Sequence, residues 1–183
     1  MSNSISNIKQ YLINNDSISK QDKNYTINYC KKIEYMEQLK QVLINDLHET
    51  VYSGYGNVNS NICFVFESKE EFESIKPELQ SILEKVKLNF WDVYITFVNK
   101  TESNYDNKYI YLMHEINAVS PKILYVLGKT DNSYNNINKS FTLNKINHPS
   151  DKTFFIPLMQ LCELNEEKKA KLWNVFRYLI NYK

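Results

Sequence analysis

Ser120-Pro121-Lys122-Ile123-Leu124-Tyr125-Val126-Leu127-Gly128 is the stretch on which the fold turns. Its apolar centre has no polar position that would face water, and it is rich in β-branched and aromatic residues. A short run of that kind reads as a strand covered on both faces. Ser120-Pro121 ends whatever precedes it, because a residue before proline avoids helical geometry. Upstream, Trp91-Asp92-Val93-Tyr94-Ile95-Thr96-Phe97 reads as a second strand, and a helix over about Asn107 to Val119 fills the interval. Further upstream, Ile62-Cys63-Phe64-Val65-Phe66 is a third apolar run.

A helix separates the runs at Ile62 and Trp91. Ile75, Leu79, Ile82, Leu83 and Val86 repeat at helical spacing behind Ser74, which reads as the N-cap with Pro77 in the first turn. Downstream, Phe141 to Ile146 reads as a fourth strand. Glu166 to Ile180 reads as a final helix that turns Leu172, Trp173, Phe176 and Ile180 inward. Strands alternating with helices imply parallel pairing. The expected fold is α/β, three-layer α/β/α, with a central four-stranded parallel sheet.

The N-terminal third differs. Ile33, Met36, Leu39, Leu43 and Leu47 mark an amphipathic helix. Before it, a weak helical pattern over Ile5 to Ile13 leads into the polar stretch Asn14 to Asn24, read as a loosely attached arm. Residues 1–50 are thus expected to form a helical arm of the same domain, and 51–183 its α/β core.

With 183 residues, 43% of them hydrophobic, the chain suits one domain with a sizeable core. A net charge of +1 excludes a DNA mimic and gives no global attraction for nucleic acid, so DNA binding needs a local basic face. Fourteen Tyr against three Gly, with abundant Asn, Lys and Ile, suggest an AT-rich genome such as that of a low-GC bacterium or its phage. No apolar run is long enough to span a membrane and no secretory leader is recognisable, which points to the cytoplasm. Cys30, Cys63 and Cys162 lie far apart without metal-ligand spacing and read as packed thiols.

Three signals in fixed order, Trp91 to Thr96, Ser120 to Gly128 and His148-Pro149-Ser150, resemble the uracil-DNA glycosylase superfamily, its family 4 branch above all. There a strand "VYITN" is followed by a helix, a strand "PKVIVLLG", and a strand ending in "HPS". The resemblance covers roughly Val51 to Tyr182. It implies a glycosylase-like core in which Glu67 orients water and His148 stabilises the departing base. By the same resemblance Phe66, Phe97 and Asn99 fall around the base pocket, and Ser150 opens a loop that presses into the DNA minor groove. Lys100, Lys145 and Lys152 would then serve phosphate contacts, and Phe154 an apolar wedge. The plainer reading places Phe154 and Phe155 in the core.

The chemistry-bearing positions depart from the family more than the scaffold does. Only Glu67 survives from the family's glycine-bearing loop. Phe97 replaces the asparagine that reads the flipped base, and a phenyl ring cannot pair with a Watson–Crick edge. Asn99 could substitute only if the strand end were displaced. The family's iron–sulfur cluster needs four spaced cysteines, so none is expected here, nor any other cofactor. His48 and His114 lack metal-ligand spacing, and Glu67, Glu70, Glu71 and Glu73 read as a solvated helix entrance. The leading expectation is a catalytically degenerate glycosylase-like protein that binds DNA or a protein in replication, repair or defence. An active glycosylase of altered base specificity and a purely structural or protein-interaction role without DNA binding are the alternatives.

Overall fold

The computed structural model describes residues 19–48, 50–52, 54–101, 108–143 and 152–157, with residues 7, 10, 176 and 177. Their order is α1 (Lys20–Leu47), β1 (Tyr55–Gly56), β2 (Ile62–Phe66), α2 (Lys69–Lys85), β3 (Tyr94–Phe97), α3 (Lys108–Val119), β4 (Ile123–Gly128), α4 (Asn132–Leu143) and β5 (Lys152–Pro157). The class is α/β. The sheet is mixed and five-stranded, in the order β1-β3-β2-β4-β5. β1 pairs antiparallel with β3, and the other three pairings are parallel.

Period-two alternation divides the core between the two faces of the sheet. Ile62, Phe64, Phe66, Ile95, Phe97, Ile123, Tyr125 and Leu127 meet Phe72, Ile75, Leu79 and Leu83 of α2, and Phe176 joins them. On the other face, Cys63, Val65, Tyr94, Leu124 and Val126 meet Leu112, Met113, Ile116 and Val119 of α3 with Ile137 of α4. Tyr29, Ile33 and Met36 bring α1 onto that second face. Lys32 fixes it there, its ammonium donating to the carbonyls of Val58 and Val119 at 3.2 and 2.9 Å.

Several expected boundaries shift for local reasons. Of the expected strand Phe141 to Ile146, Phe141 to Leu143 belong to a helix and the remainder lies outside the described residues: α4 runs through Leu143, and Tyr134, Ile137 and Phe141 stand at the three- and four-residue spacings of a helix. β5 instead takes Lys152-Thr153-Phe154-Phe155-Ile156-Pro157. β3 starts at Tyr94 because the Asn89 and Asp92 side chains accept from the Trp91 and Asn89 amides, closing a turn that leaves Trp91 79% exposed. α2 is capped by Ser68, whose hydroxyl accepts from the Glu71 amide at 3.3 Å. Ser74 and Pro77 therefore lie inside the helix, where Pro77 forfeits one backbone bond. α1 begins at Lys20 behind the Ser19 cap, so Lys20 to Asn24 are helical rather than part of a polar arm. Ser120 does end α3, but in a left-handed conformation (φ 54) with its amide on the Ile116 carbonyl at 2.8 Å.

Candidate functional site at the carboxyl edge of the sheet

From β2 the chain steps to β3 on one side and then crosses to β4 on the other. The order of the strands therefore reverses between β2 and β4, and in open α/β sheets ligands favour the crevice beyond the carboxyl ends at such a reversal. Glu67 and Ser68 follow β2 there, Asn99 follows β3, and Lys129 follows β4. The β2–β3 pairing continues past both strands, with the Val98 amide on the Phe66 carbonyl and the Asn99 amide on the Glu67 carbonyl, both at 2.8 Å. This register sets Glu67 and Asn99 side by side.

Lys108, the first residue of α3, joins their side chains. Its ammonium donates to Asn99 Oδ1 at 3.0 Å and lies 3.8 Å from Glu67 Oε1. A second pair flanks the first: Lys129 Nζ is 3.8 Å from Glu71 Oε1. Lys129 is 79% exposed, so water screens that contact and it contributes little. The other Glu71 oxygen, Oε2, is buried without a hydrogen-bond partner among the described residues. Burial pushes the Glu71 carboxyl above the ordinary carboxylate range, Lys129 opposes the shift, and the negative charge of Glu67 adds to it. The edge thus carries two carboxylates and two ammonium groups.

The structure brings Glu67 and Asn99 together, and it places other expected site residues elsewhere. Phe66 and Phe97 are buried on the α2 face, each against the Phe72 ring. Phe97 points into the core because its Cβ alternates with that of Thr96. Lys100 is no surface lysine: it is 4% exposed and ion-paired with Glu115 of α3. Glu115 also accepts from Tyr94 Oη at 2.6 Å and from Thr96 Oγ1 at 2.9 Å, while Lys100 donates to Thr96 Oγ1 at 2.9 Å. This network ties β3 to α3 and leaves Lys100 no role at phosphate. Phe154 is half-buried and stacks on Tyr125 with ring centroids 5.4 Å apart, which makes it packing and not a wedge.

Lys152 is exposed, but it pairs with Ile123 at the amino end of β4, on the opposite edge of the sheet from Glu67. Lys145, His148 and Ser150 lie outside the described residues. Their position in the chain still has a consequence, because β5 begins after His148-Pro149-Ser150. The residue that β5 carries to the carboxyl edge is Pro157, paired with Gly128. In the chain the tripeptide thus precedes β5.

The remaining candidates have ordinary places. His48 adopts the left-handed C-cap of α1, and His114 Nδ1 lies 3.3 Å from Tyr35 Oη. Cys30 and Cys63 are buried free thiols, and Cys162 lies outside the described residues. Burial, and next the Glu115 charge, push the Cys63 thiol well up, with Lys100 opposing, so it stays protonated. No cluster of three or more His, Cys, Asp or Glu able to hold a metal ion occurs among the described residues. None of the helices there is long and apolar enough to cross a membrane. No protein-family profile matches the chain, and no curated protein sequence is similar to it.

Sequence reasoning missed Lys108 and Glu115. Glu115 carried a legible signal, as a lone carboxylate flanked by Leu112, Met113, Ile116 and Val119 on the apolar face of α3. Lys108 carried none, since nothing in one dimension says that a helix start meets the ends of two strands.

Proposed function

We propose that this chain is a uracil-DNA glycosylase-like protein that has lost base excision and acts as a binding module for DNA or a protein in replication, repair or defence. The observation that carries the reading is the contact of Lys108 with both Asn99 and Glu67 at the carboxyl edge. A water-activating carboxylate and a base-reading amide must both be available to a flipped nucleotide, whose extrusion costs a few kcal/mol that the pocket has to return. Here the same lysine engages both, and Phe97 lies in the core. Polar groups held in this way suit a fixed docking surface better than a catalytic pocket.

The charge balance of the edge sets the expected affinity. Carboxylates interleaved with ammonium groups give weak, salt-sensitive attraction for phosphate. Oligonucleotides carrying uracil or hypoxanthine, single- and double-stranded, should yield no abasic sites after incubation with the protein. Low-salt DNA binding should weaken alike for all sequences when Lys69 and Lys129, exposed near this edge, are both changed to glutamate. Release of uracil by the wild-type protein would replace this reading with that of an active glycosylase. Absence of DNA association even at low salt would leave a protein as the partner.

A further inference from the structure

A cavity of about 120 Å³, lined by none of Glu67, Asn99, Lys108 and Lys129, lies on the α3 face of the sheet between α1, α3 and the residues around Gly54. Ile33, Leu43 and Val58 supply hydrocarbon wall, whereas Tyr94, Lys100 and Glu115 line it with the buried polar network. A lysine–glutamate pair in such a place is costly to desolvate, and a hydrocarbon pair of similar volume would stabilise the fold at least as well. The network also keeps unused capacity. An ammonium has three donors, and Lys100 spends two, on Thr96 and Glu115. Among the described residues Glu115 Oε1 accepts only from Tyr94, and the Tyr94 hydroxyl retains its own acceptor lone pairs.

Gly54 approaches this polar wall closely. A β-carbon there would stand 2.4 Å from Tyr94 Oη, 2.5 Å from Glu115 Oε1 and 2.7 Å from the Ile95 carbonyl. Any other residue would crowd the polar wall, so the glycine serves close approach and not a turn.

We infer that this cavity is a binding site for a small neutral molecule that presents a hydrogen-bond acceptor beside a donor on one edge and hydrocarbon on the other, as a cyclic amide does. The acceptor meets the remaining Lys100 N–H, and the donor meets Glu115 Oε1 or Tyr94 Oη. Neutrality follows from the pair itself: a carboxylate ligand would add a second anion beside Glu115, and an amine a second cation beside Lys100. Size follows from volume, because an apolar cavity of about 150 Å³ takes benzene and this one therefore suits roughly five to seven heavy atoms.

The test is a titration of the full ¹⁵N-labelled chain with δ-valerolactam, followed by amide shifts, alongside valerate and pentylamine as charged counterparts of similar size. Saturable shifts at Gly54, Gly56 and Tyr94 are expected with the lactam at millimolar concentration, and binding about tenfold or more weaker for both charged compounds. Met36→Trp places a larger side chain on a half-buried helical position at the cavity and should abolish the shifts while preserving the remaining spectrum. The inference is overturned if the lactam gives no saturable shifts, if either charged compound binds as well, or if a folded Met36→Trp protein binds undiminished.

Discussion

Lys100 and Glu115 hold each other inside a largely apolar layer, so removing either strands a buried charge. Lys100→Met or Glu115→Leu alone should cost about 3–5 kcal/mol of unfolding free energy, and the double substitution much less, since it leaves no orphan. Urea unfolding of the four proteins measures the difference, and additive losses would show that the two charges are not coupled. Alkaline pH probes the same region. Tyr94 and Cys63 are pushed well above their usual values, mainly by burial, and Tyr111 is raised to about 12 by its hydrogen bond to Asp46. In the unfolded chain these groups lose their protons near pH 9 to 10, at the ordinary thiol and phenol values of 9.0 and 10.0. Their contribution is therefore complete below that range and is lost as pH rises towards the folded values. The urea midpoint should fall steadily between about pH 9 and 12. Glu71 has the opposite consequence for a carboxylate. Its raised pKa means that ionisation costs stability at neutral pH, so Glu71→Gln should raise the midpoint at pH 7 and have no effect in acid below the carboxyl range.

At the scale of elements, the entrance to α2 is the sharpest local prediction. Ser68→Ala removes the side chain that accepts from the Glu71 amide and should cost about 1 kcal/mol, whereas Ser74→Ala, inside the helix, should change little. Equal effects from the two substitutions would place the cap wrongly. The helix also shows how local rules compete. Ser74 looks like a cap because it precedes Ile75 and a proline three residues on, but the apolar face begins earlier, at Phe72. β5 shows the same competition. Thr153, Phe154, Phe155 and Ile156 have strong strand character, and it outweighs the loop that the glycosylase resemblance implies after Ser150.

For the whole molecule, the reversal of strand order between β2 and β4 decides which residues can act together. Glu67 and Asn99 meet at the carboxyl edge because their strands are parallel neighbours, and α3 starts close enough to deliver Lys108. Lys152 leaves that group because its strand enters at the other edge. Lys108→Ala should remove the ammonium from both Glu67 and Asn99. If occlusion alone suppresses excision, that substitution would unmask it. If the missing base-reading position and pocket shape matter more, as Phe97 in the core argues, uracil excision should remain absent in Lys108→Ala, measured by the same abasic-site assay.

The sequence by itself determined the α/β class, the residues of β2 and nearly all of β4, and the assignment of their side chains to covered faces. Continuous apolar runs have one stable outcome, burial on both sides, whatever the remainder of the chain does. It also made legible that Glu67 and Asn99 each follow the carboxyl end of a strand. Only the tertiary structure decided that Lys100 is an interior charge, that Phe97 is core, and that Lys108 occupies the site. Each of these depends on which helix crosses which strand, and pairing between segments distant in sequence leaves no periodic trace in either. The antiparallel edge strand β1 is the plainest case: two residues, Tyr55 and Gly56, become a strand only because Ile95 and Tyr94 are there to pair with them.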